Sequence, residues 1–219
     1  MPIRSYDPSN FRGKRLPVCL CLDTSGSMTG APIDSLNEGL GVFWEATKED
    51  SEASEAVDVA IITFGYGGIE CPVDFGNIAG TKPPLLLPGG MTPLGEAVEL
   101  AADTIDARLR AYREVGCEYY SPWLLLTTDG MPNGNPACFR KAAARITTMA
   151  RHERLSVFPV AVGEDADIEA LQKFSPHRKA MKLKDLAFEE MFRWLAENIM
   201  RAVRSARTLT SPEAWGELA

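Results

Sequence analysis

Two kinds of segment alternate along the chain. Short, nearly continuous apolar runs, such as LPVCLCLD at 16–23 and PWLLLTTDG at 122–130, are typical of strands that are buried on both faces of a sheet. Between such runs, apolar residues recur at the spacing of a helix with one buried face, most clearly at 92–115 and 185–206. This alternation predicts an α/β fold with a doubly wound, mostly parallel central sheet and helices on both faces.

One short strand is expected to run antiparallel at an edge of the sheet. GYGG at 65–68 predicts a hairpin turn, and Pro72 in the following segment cannot donate to a strand ladder. The acidic stretch EDSEASEA, 49–56, is expected to be a solvated loop. The predicted strands are 16–23, 57–64, 69–75, 122–130, 155–163 and 179–183. The predicted helices are 31–50, 92–115, 136–153, 167–175 and 185–206.

The length of 219 residues fits one domain with short extensions. We expect an irregular leader at 1–15, a domain at 16–206, and a loosely held C-terminal tail at 207–219. No stretch reaches the ~18 uninterrupted apolar residues of a membrane-spanning helix, so no membrane span is predicted. The first residues also lack the apolar core of a secretory signal.

Charge and cysteine content narrow the function classes further. A net charge of −7 argues against nucleic-acid binding, which usually needs a basic face. The five cysteines are odd in number and include no C-x-x-C pair, so neither a disulfide framework nor a zinc cluster is predicted. Together with the lack of a secretory signal, these features predict a reducing, cytoplasmic setting.

Oxygen-bearing side chains gather where predicted strands end. Asp23 closes the first strand and is followed by Ser25 and Ser27; Asp129 closes the fourth, and Thr92 stands between a glycine pair and a helix start. In doubly wound sheets, ligands bind beyond the carboxyl ends of strands, where the strand order reverses. Hard oxygen ligands suit Mg²⁺, Mn²⁺ or Ca²⁺ rather than zinc. A simpler interpretation is that the hydroxyls cap helices and the acid forms a turn.

Three motifs carry a resemblance to a known family. DTSGS at 23–27, GGMTPLGEA at 89–97 and TTDG at 127–130 resemble, in this order, the metal-ion-dependent adhesion site (MIDAS) of von Willebrand factor type A (vWA) domains. Within that family, RLPVCLCLDTSGSMTGAPIDSLNEGL and GGMTPLGEAVELAAD look most like the TerY-like proteins of bacterial tellurite-resistance and stress operons.

This resemblance implies a vWA fold and a role for each residue of the site. Ser25 and Ser27 would ligate a divalent cation directly, with Mg²⁺ as the first choice and Mn²⁺ or Ca²⁺ as alternatives. Thr92 would ligate directly or through water, and Asp23 and Asp129 would hold waters or ligate. One coordination position would remain for an Asp or Glu of a partner protein. The implied partners are other tellurite-resistance proteins or kinase- and phosphatase-like modules.

An enzymatic function is the main competing interpretation. Haloacid-dehalogenase-like phosphatases need a second acid two residues after the first, where this chain has Ser25. A serine hydrolase needs a base, but His152 and His177 are the only histidines, neither follows a predicted strand, and G-x-S-x-G is absent. The favoured prediction is a non-enzymatic interaction domain. A Mg²⁺-dependent phosphatase or hydrolase and a scaffold with a non-functional metal site are the alternatives.

Four residues adjoin the candidate ligands in sequence, namely Met28, Met91, Met131 and Asn133. We expect them to form an adaptable, largely apolar rim for a partner. Trp215 in the tail is a further candidate for docking.

Overall fold

A seven-stranded sheet forms the centre of the computed structural model, which describes residues 13–204, 209, 210, 212 and 214–218. The strands are β1 (Leu16–Thr24), β2 (Val57–Gly65), β3 (Gly68–Asn77), β4 (Trp123–Thr128), β5 (Ser156–Val162), β6 (Met181–Leu183) and β7 (Gly216–Leu218). The helices are α1 (Ala31–Glu49), α2 (Ser51–Ala56), α3 (Leu94–Glu114), α4 (Pro136–Arg151), α5 (Ile168–Gln172) and α6 (Phe188–Val203). Within the described residues, no helix combines the length and the apolar character needed to cross a bilayer.

The strand order is β3-β2-β1-β4-β5-β6-β7, which confirms the predicted fold class. β1 lies at the centre and pairs in parallel with β2 and β4, and β5 and β6 continue the parallel set. β3 returns antiparallel to β2, as the GYGG turn predicts. The chain order of the strands reverses between β1 and β4, so a crevice is expected beyond the carboxyl ends of these two strands.

The C-terminal tail adds a second antiparallel edge that the hydrophobic pattern did not predict. β7 pairs with β6, and Trp215, which was expected in a loose tail, is only 2% exposed. The Trp215 carbonyl accepts a hydrogen bond from the Lys184 amide at 2.9 Å. A strand of three residues is too short to leave a recognisable alternation in the sequence. Residues 205–208, 211, 213 and 219 lie outside the described chain.

Ordered pairing also begins slightly before the predicted domain boundary at residue 16. Arg15 forms a parallel bridge with Tyr119, and its amide donates to the Glu118 carbonyl at 2.8 Å. The Arg15 residue is only 3% exposed. The rest of the predicted leader falls mainly on residues 1–12, which lie outside the described residues, so its irregular structure stays a prediction.

Alternate side chains of β1 divide the core into two layers. Val18, Leu20 and Leu22 pack in the layer that includes α1, α2 and α6, whereas Cys19 and Cys21 pack in the layer that includes α3, α4 and α5. Burial raises the pKa of both thiols, so they stay neutral. Both cysteines act as small apolar core residues on the face of the sheet that α3, α4 and α5 cover.

The acidic stretch that was predicted as a loop contains α2 instead. The Asp50 carboxylate caps this helix by accepting a hydrogen bond from the Ala53 amide at 2.9 Å. Ala53 and Ala56 are buried in the core. Two small apolar residues in six positions are too few to produce a visible helical periodicity, so the helix forms through its cap and its tertiary contacts.

A buried ion network ties three elements together near the amino end of β2. Asp58 is fully buried, and its Oδ2 atom accepts hydrogen bonds from Arg108 and Tyr112 of α3, each at 2.5 Å. Arg15 lies 3.6 Å from the other carboxylate oxygen. Both guanidinium groups are buried too, so the Asp58 carboxylate neutralises charge that the interior would otherwise tolerate poorly.

We expect Asp58→Asn to lower the free energy of unfolding by about 3 kcal/mol or more, because it removes the charge that Arg15 and Arg108 share. Asp103→Asn is the matched control. Asp103 also pairs with an arginine, Arg145, at 2.8 Å, but its side chain is 69% exposed, so its loss should cost at most about 1 kcal/mol. Urea denaturation followed by circular dichroism measures both changes, and equal losses would contradict a structural role for the network.

Candidate metal centre

The candidate site lies at the point where the strand order reverses. β1 and β4 are parallel neighbours, with Leu22 opposite Thr127, so the carboxyl ends of these strands meet at one edge of the sheet. Asp23 is the next residue of β1, and Asp129 directly follows β4. The two carboxylates that the sequence placed at strand ends are therefore brought to the same crevice.

The Asp23 carboxylate is the most buried member of the site, at 1% residue exposure. Its Oδ1 atom accepts a hydrogen bond from the Ser25 amide at 2.8 Å, and its Oδ2 atom accepts one from the Thr128 hydroxyl at 2.5 Å. Burial raises the pKa of Asp23 to about 6, and hydrogen bonds from Ser25 and Thr128 oppose that rise. A neighbouring cation would favour the ionised form further. Thr128 is a supporting residue that the sequence analysis missed.

Two serine hydroxyls and the second carboxylate lie in direct contact. The Ser25 and Ser27 Oγ atoms are 3.0 Å apart. The Ser27 hydroxyl donates to Asp129 Oδ1 at 2.7 Å, and the Ser25 hydroxyl lies 3.4 Å from the same oxygen. Three oxygen atoms from two loops thus form one compact triangle.

Thr92 reaches the same place from a third loop. A Cβ atom added to Gly130 would lie 3.9 Å from both the Ser27 and the Thr92 hydroxyl oxygens. Thr92 is 5% exposed, and its amide donates to Asn133 Oδ1 at 2.7 Å. The Asn133 amide in turn donates to the Thr92 carbonyl at 3.1 Å. Asn133 therefore holds the Thr92 loop against the loop after β4.

Backbone contacts between glycines hold the serine loop and the Thr92 loop together. The Gly26 amide donates to the Gly90 carbonyl at 3.2 Å, and the Gly89 amide donates to the Thr24 carbonyl at 2.8 Å. Gly90 has a φ of +76°, and a Cβ atom there would lie 2.2 Å from the Gly65 carbonyl oxygen. Only glycine fits this crossing of three loops.

The structure does not support the alternative in which the hydroxyls cap helices. The short 3₁₀ turn after Ser25 receives no side-chain cap from it. Helix α1 has Gly30 at its N-cap and α3 has Pro93, and neither receives a capping side chain. The hydroxyls of Ser25 and Ser27 contact each other and Asp129 instead.

A cavity of about 400 Å³ opens at this edge of the sheet, and Ser27, Asp129 and Met131 contribute to its lining. Glu164 and Asp165, which follow β5, also line it, whereas no His, Lys or Arg among the described residues does. The surroundings therefore favour a cation. The described residues contain no metal-binding group built from three or more His, Cys, Asp or Glu side chains. The candidate site is of a different kind, because it combines two carboxylates with three hydroxyls.

The expected methionine rim is only partly present. Met28 is 1% exposed and belongs to the core, because the 3₁₀ turn points it inward, so its assignment to the rim was wrong. Met91 and Met131 are 63% and 70% exposed, and Tyr66 and Leu87 in neighbouring loops are 54% and 50% exposed. These last four residues form the apolar rim of the site.

Comparison with known proteins identifies the fold but no sequence family. No family model matches this chain, and no curated protein does. A von Willebrand factor type A protein from Catenulispora acidiphila aligns with a TM-score of 0.64 and 19% identity, over 86% of this chain and 43% of that one. The chain thus spans less than half the length of that structure.

Two further structures with this fold carry metals. Proximal thread matrix protein 1 from the mussel byssus, described with a zinc-occupied MIDAS motif, aligns with a TM-score of 0.57 and 12% identity, over 86% of this chain and 48% of that one. The manganese-loaded TRAP protein of Plasmodium vivax aligns with a TM-score of 0.52 and 16% identity, over 82% and 74% of the two chains. At these identities the likeness establishes the fold: the chain has the vWA fold.

We expect Gly90→Ala to destabilise the protein by about 2 kcal/mol or more, because the methyl group would collide with the Gly65 carbonyl and strain a left-handed backbone. Gly80→Ala is the control, since a Cβ atom there meets nothing within 4 Å. Thermal unfolding of the two variants measures the difference. A Gly90→Ala protein as stable as Gly80→Ala would show that the loop crossing is not needed.

Proposed function

We propose that this chain is a metal-dependent protein-interaction domain. Asp23, Ser25, Ser27, Thr92 and Asp129 would hold a divalent cation, and one coordination position would accept an Asp or Glu from a partner protein. The observation that carries the proposal is the contact of the Ser25 and Ser27 hydroxyls with each other and with the Asp129 carboxylate. Such a cluster gathers oxygen ligands from separate loops, and no histidine or lysine lines the adjoining cavity among the described residues.

The spacing of these oxygens fits a small octahedral ion. The three distances in the triangle are 3.0, 2.7 and 3.4 Å. Neighbouring ligands of an octahedral ion with bonds of 2.0–2.1 Å are about 3 Å apart, which is the geometry that Mg²⁺ demands. Structures with the same fold carry zinc and manganese. We favour Mg²⁺ from the all-oxygen ligand set, with Mn²⁺ or Ca²⁺ as substitutes.

The ligand set would leave the bound ion attractive to a further anion. Three of the five side chains are neutral hydroxyls, so the two carboxylates only balance the charge of a divalent cation. Helices α1 and α3 begin just after the serine loop and just after Thr92, and their N-termini add partial positive charge. Asp165 would repel a partner carboxylate when the ion is absent, whereas Glu164 is paired with Lys182 at 2.6 Å. Binding of the partner carboxylate would therefore require the cation.

The apolar rim favours a protein partner over a hydrolase substrate. Tyr66, Leu87, Met91 and Met131 are at least half exposed, and they belong to the loops that surround the candidate ligands. Exposed apolar side chains grouped in this way mark interaction surfaces, and methionine adapts readily to a partner. The cavity between the loops offers no histidine or lysine, among the residues described, that could serve as a base.

The cellular setting follows from the sequence resemblance alone. It suggests a cytoplasmic protein that acts beside tellurite-resistance or other stress-response partners in a bacterium. Kinase- or phosphatase-like modules are candidate partners of this kind. Metal-dependent capture of a partner would distinguish an interaction domain from a metal site that has no binding role.

We expect Mg²⁺ and Mn²⁺ to raise the melting temperature of the metal-stripped protein, since a ligand that binds only the native state stabilises it by about 2.7 kcal/mol at one hundred times its Kd. Ser27→Ala should reduce this increase at least by half. Ser51→Ala, an exposed serine outside the site, should leave it unchanged. Calorimetric titration gives the affinities directly. A melting temperature that neither ion moves would favour the scaffold with a non-functional site.

We also expect partner capture to require the cation. Immobilised protein should retain a partner from a lysate of its source cells in Mg²⁺ and release it in EDTA. Asp129→Asn should lose the partner because it removes a ligand. Met131→Ser should retain the metal-induced rise in melting temperature but bind the partner several-fold more weakly, because it removes only rim surface. Capture that survives both EDTA and Asp129→Asn would contradict the metal bridge. Phosphatase turnover that needs Mg²⁺ would instead support the enzymatic alternative.

A further inference from the structure

A second cavity, of about 250 Å³, lies between α6, the strands β5 and β6, and the C-terminal segment. Phe158, Met181, Trp194 and Trp215 are among its apolar lining residues. None of its lining residues belongs to the candidate metal centre. The cavity therefore needs a separate explanation.

The wall formed by the C-terminal segment is anchored at both ends. Asn198 is fully buried and exchanges two hydrogen bonds of 2.8 Å with the Thr210 amide and hydroxyl. The Trp194 indole N–H donates to the Thr210 carbonyl at 3.0 Å. At the other end, Trp215 leads directly into β7 and is tied to the Lys184 amide. These contacts fix the described residues Thr210 and Trp215 against α6 and the start of the segment after β6.

Three aromatic rings meet along the cavity. The Phe158 and Trp194 rings are 5.9 Å apart at 73°, and the Trp194 and Trp215 rings are 5.3 Å apart at 60°. Rings tilted against one another expose both edges and faces. A further planar ring can therefore pack against them in the edge-to-face or offset-stacked contacts that aromatic pairs prefer. The apolar part of an occupant is therefore expected to be aromatic.

The charge at the cavity is positive, in a protein whose net charge is −7. The Arg178 guanidinium carbon lies 4.6 Å from the centre of the Phe158 ring. Arg178 and Lys179 are the charged residues that line the cavity, and among the described residues no Asp or Glu lines it or forms an ion pair with Arg178. Burial lowers the pKa of the Arg178 guanidinium, as expected for a partly desolvated cation.

We propose that this cavity binds a small aromatic carboxylate, with its ring among Phe158, Trp194 and Trp215 and its carboxylate on Arg178. A guanidinium stacked on an aromatic face keeps its N–H edge free for a two-pronged contact with a carboxylate. The volume sets the size, because a cavity of about 150 Å³ already accepts benzene. One ring with a short carboxylate arm therefore fits the space.

The probes for the test are phenylacetate, its neutral analogue phenylacetamide, and acetate. Nuclear magnetic resonance of the indole N–H groups reports binding at Trp194 and Trp215, and Trp44 in α1 is an internal reference. Phenylacetate should move the first two signals, leave the third in place, and bind about tenfold or more tightly than phenylacetamide, because a charge-assisted hydrogen bond is worth about that factor. Acetate should not bind, since it lacks the ring.

Arg178→Gln should remove the preference for phenylacetate over phenylacetamide while the neutral probe still binds. Arg154→Gln, an exposed arginine that does not line the cavity, should leave both affinities unchanged. Arg178→Lys keeps the charge but not the planar fork, and it should weaken phenylacetate binding several-fold. If Arg178→Gln fails to fold, Arg178→Lys still tests the contact between the guanidinium and the carboxylate.

Three results of the titrations without EDTA would overturn the proposal. These are equal affinities of the wild-type protein for phenylacetate and phenylacetamide, no signal change with millimolar phenylacetate, and undiminished phenylacetate binding in both Arg178 variants. EDTA should have no effect on the titration, since the proposal does not depend on the cation. Loss of phenylacetate binding on adding EDTA would also count against it, because it would place the probe at the metal centre.

Discussion

The buried carboxylate of Asp23 joins the two halves of the crevice, and the geometry of the candidate metal centre depends on it. One oxygen holds the Ser25 amide of the loop after β1, and the other holds the Thr128 hydroxyl at the end of β4. A buried carboxylate that lost these donors would be costly, so the serine loop and β4 must keep their relative positions. The 2.7 Å contact between Ser27 and Asp129 follows from that arrangement. Stability and site geometry are thus determined by the same hydrogen bonds.

The loop that carries Thr92 is positioned by a different kind of contact. Its position depends on the crossing of Gly90 with Gly65, where side chains would collide, and on the two-way hydrogen bonding between Thr92 and Asn133. These are steric and backbone constraints rather than charged ones, so they act whether or not a cation is present. The site is therefore preorganised, and little of the free energy of ion binding would be spent on ordering loops.

Particular residues show how far the sequence could predict this structure. Asp23 and Asp129 were predictable because buried strands leave continuous apolar runs, and an acid at the end of such a run stands out. Thr128 was not, since its hydroxyl has a role only once β1 and β4 are neighbours, and that pairing is a property of the topology. Met28 and Trp215 were assigned to the surface because they stand in short, irregular segments. Their burial arises from tertiary contacts, which carry no local periodicity.

The metal centre and the aromatic cavity would both recognise a carboxylate, but through opposite electrostatic designs. At the crevice the protein supplies acids and hydroxyls, so an anion could approach only through an intervening cation. At the aromatic cavity the protein supplies the cation itself, as the guanidinium of Arg178, and no acid lines the described wall. A protein of net charge −7 repels anions in general, so each recognition depends on local positive charge. Chelation would separate the two: it would remove a cation from the crevice and leave the charge of Arg178 unchanged.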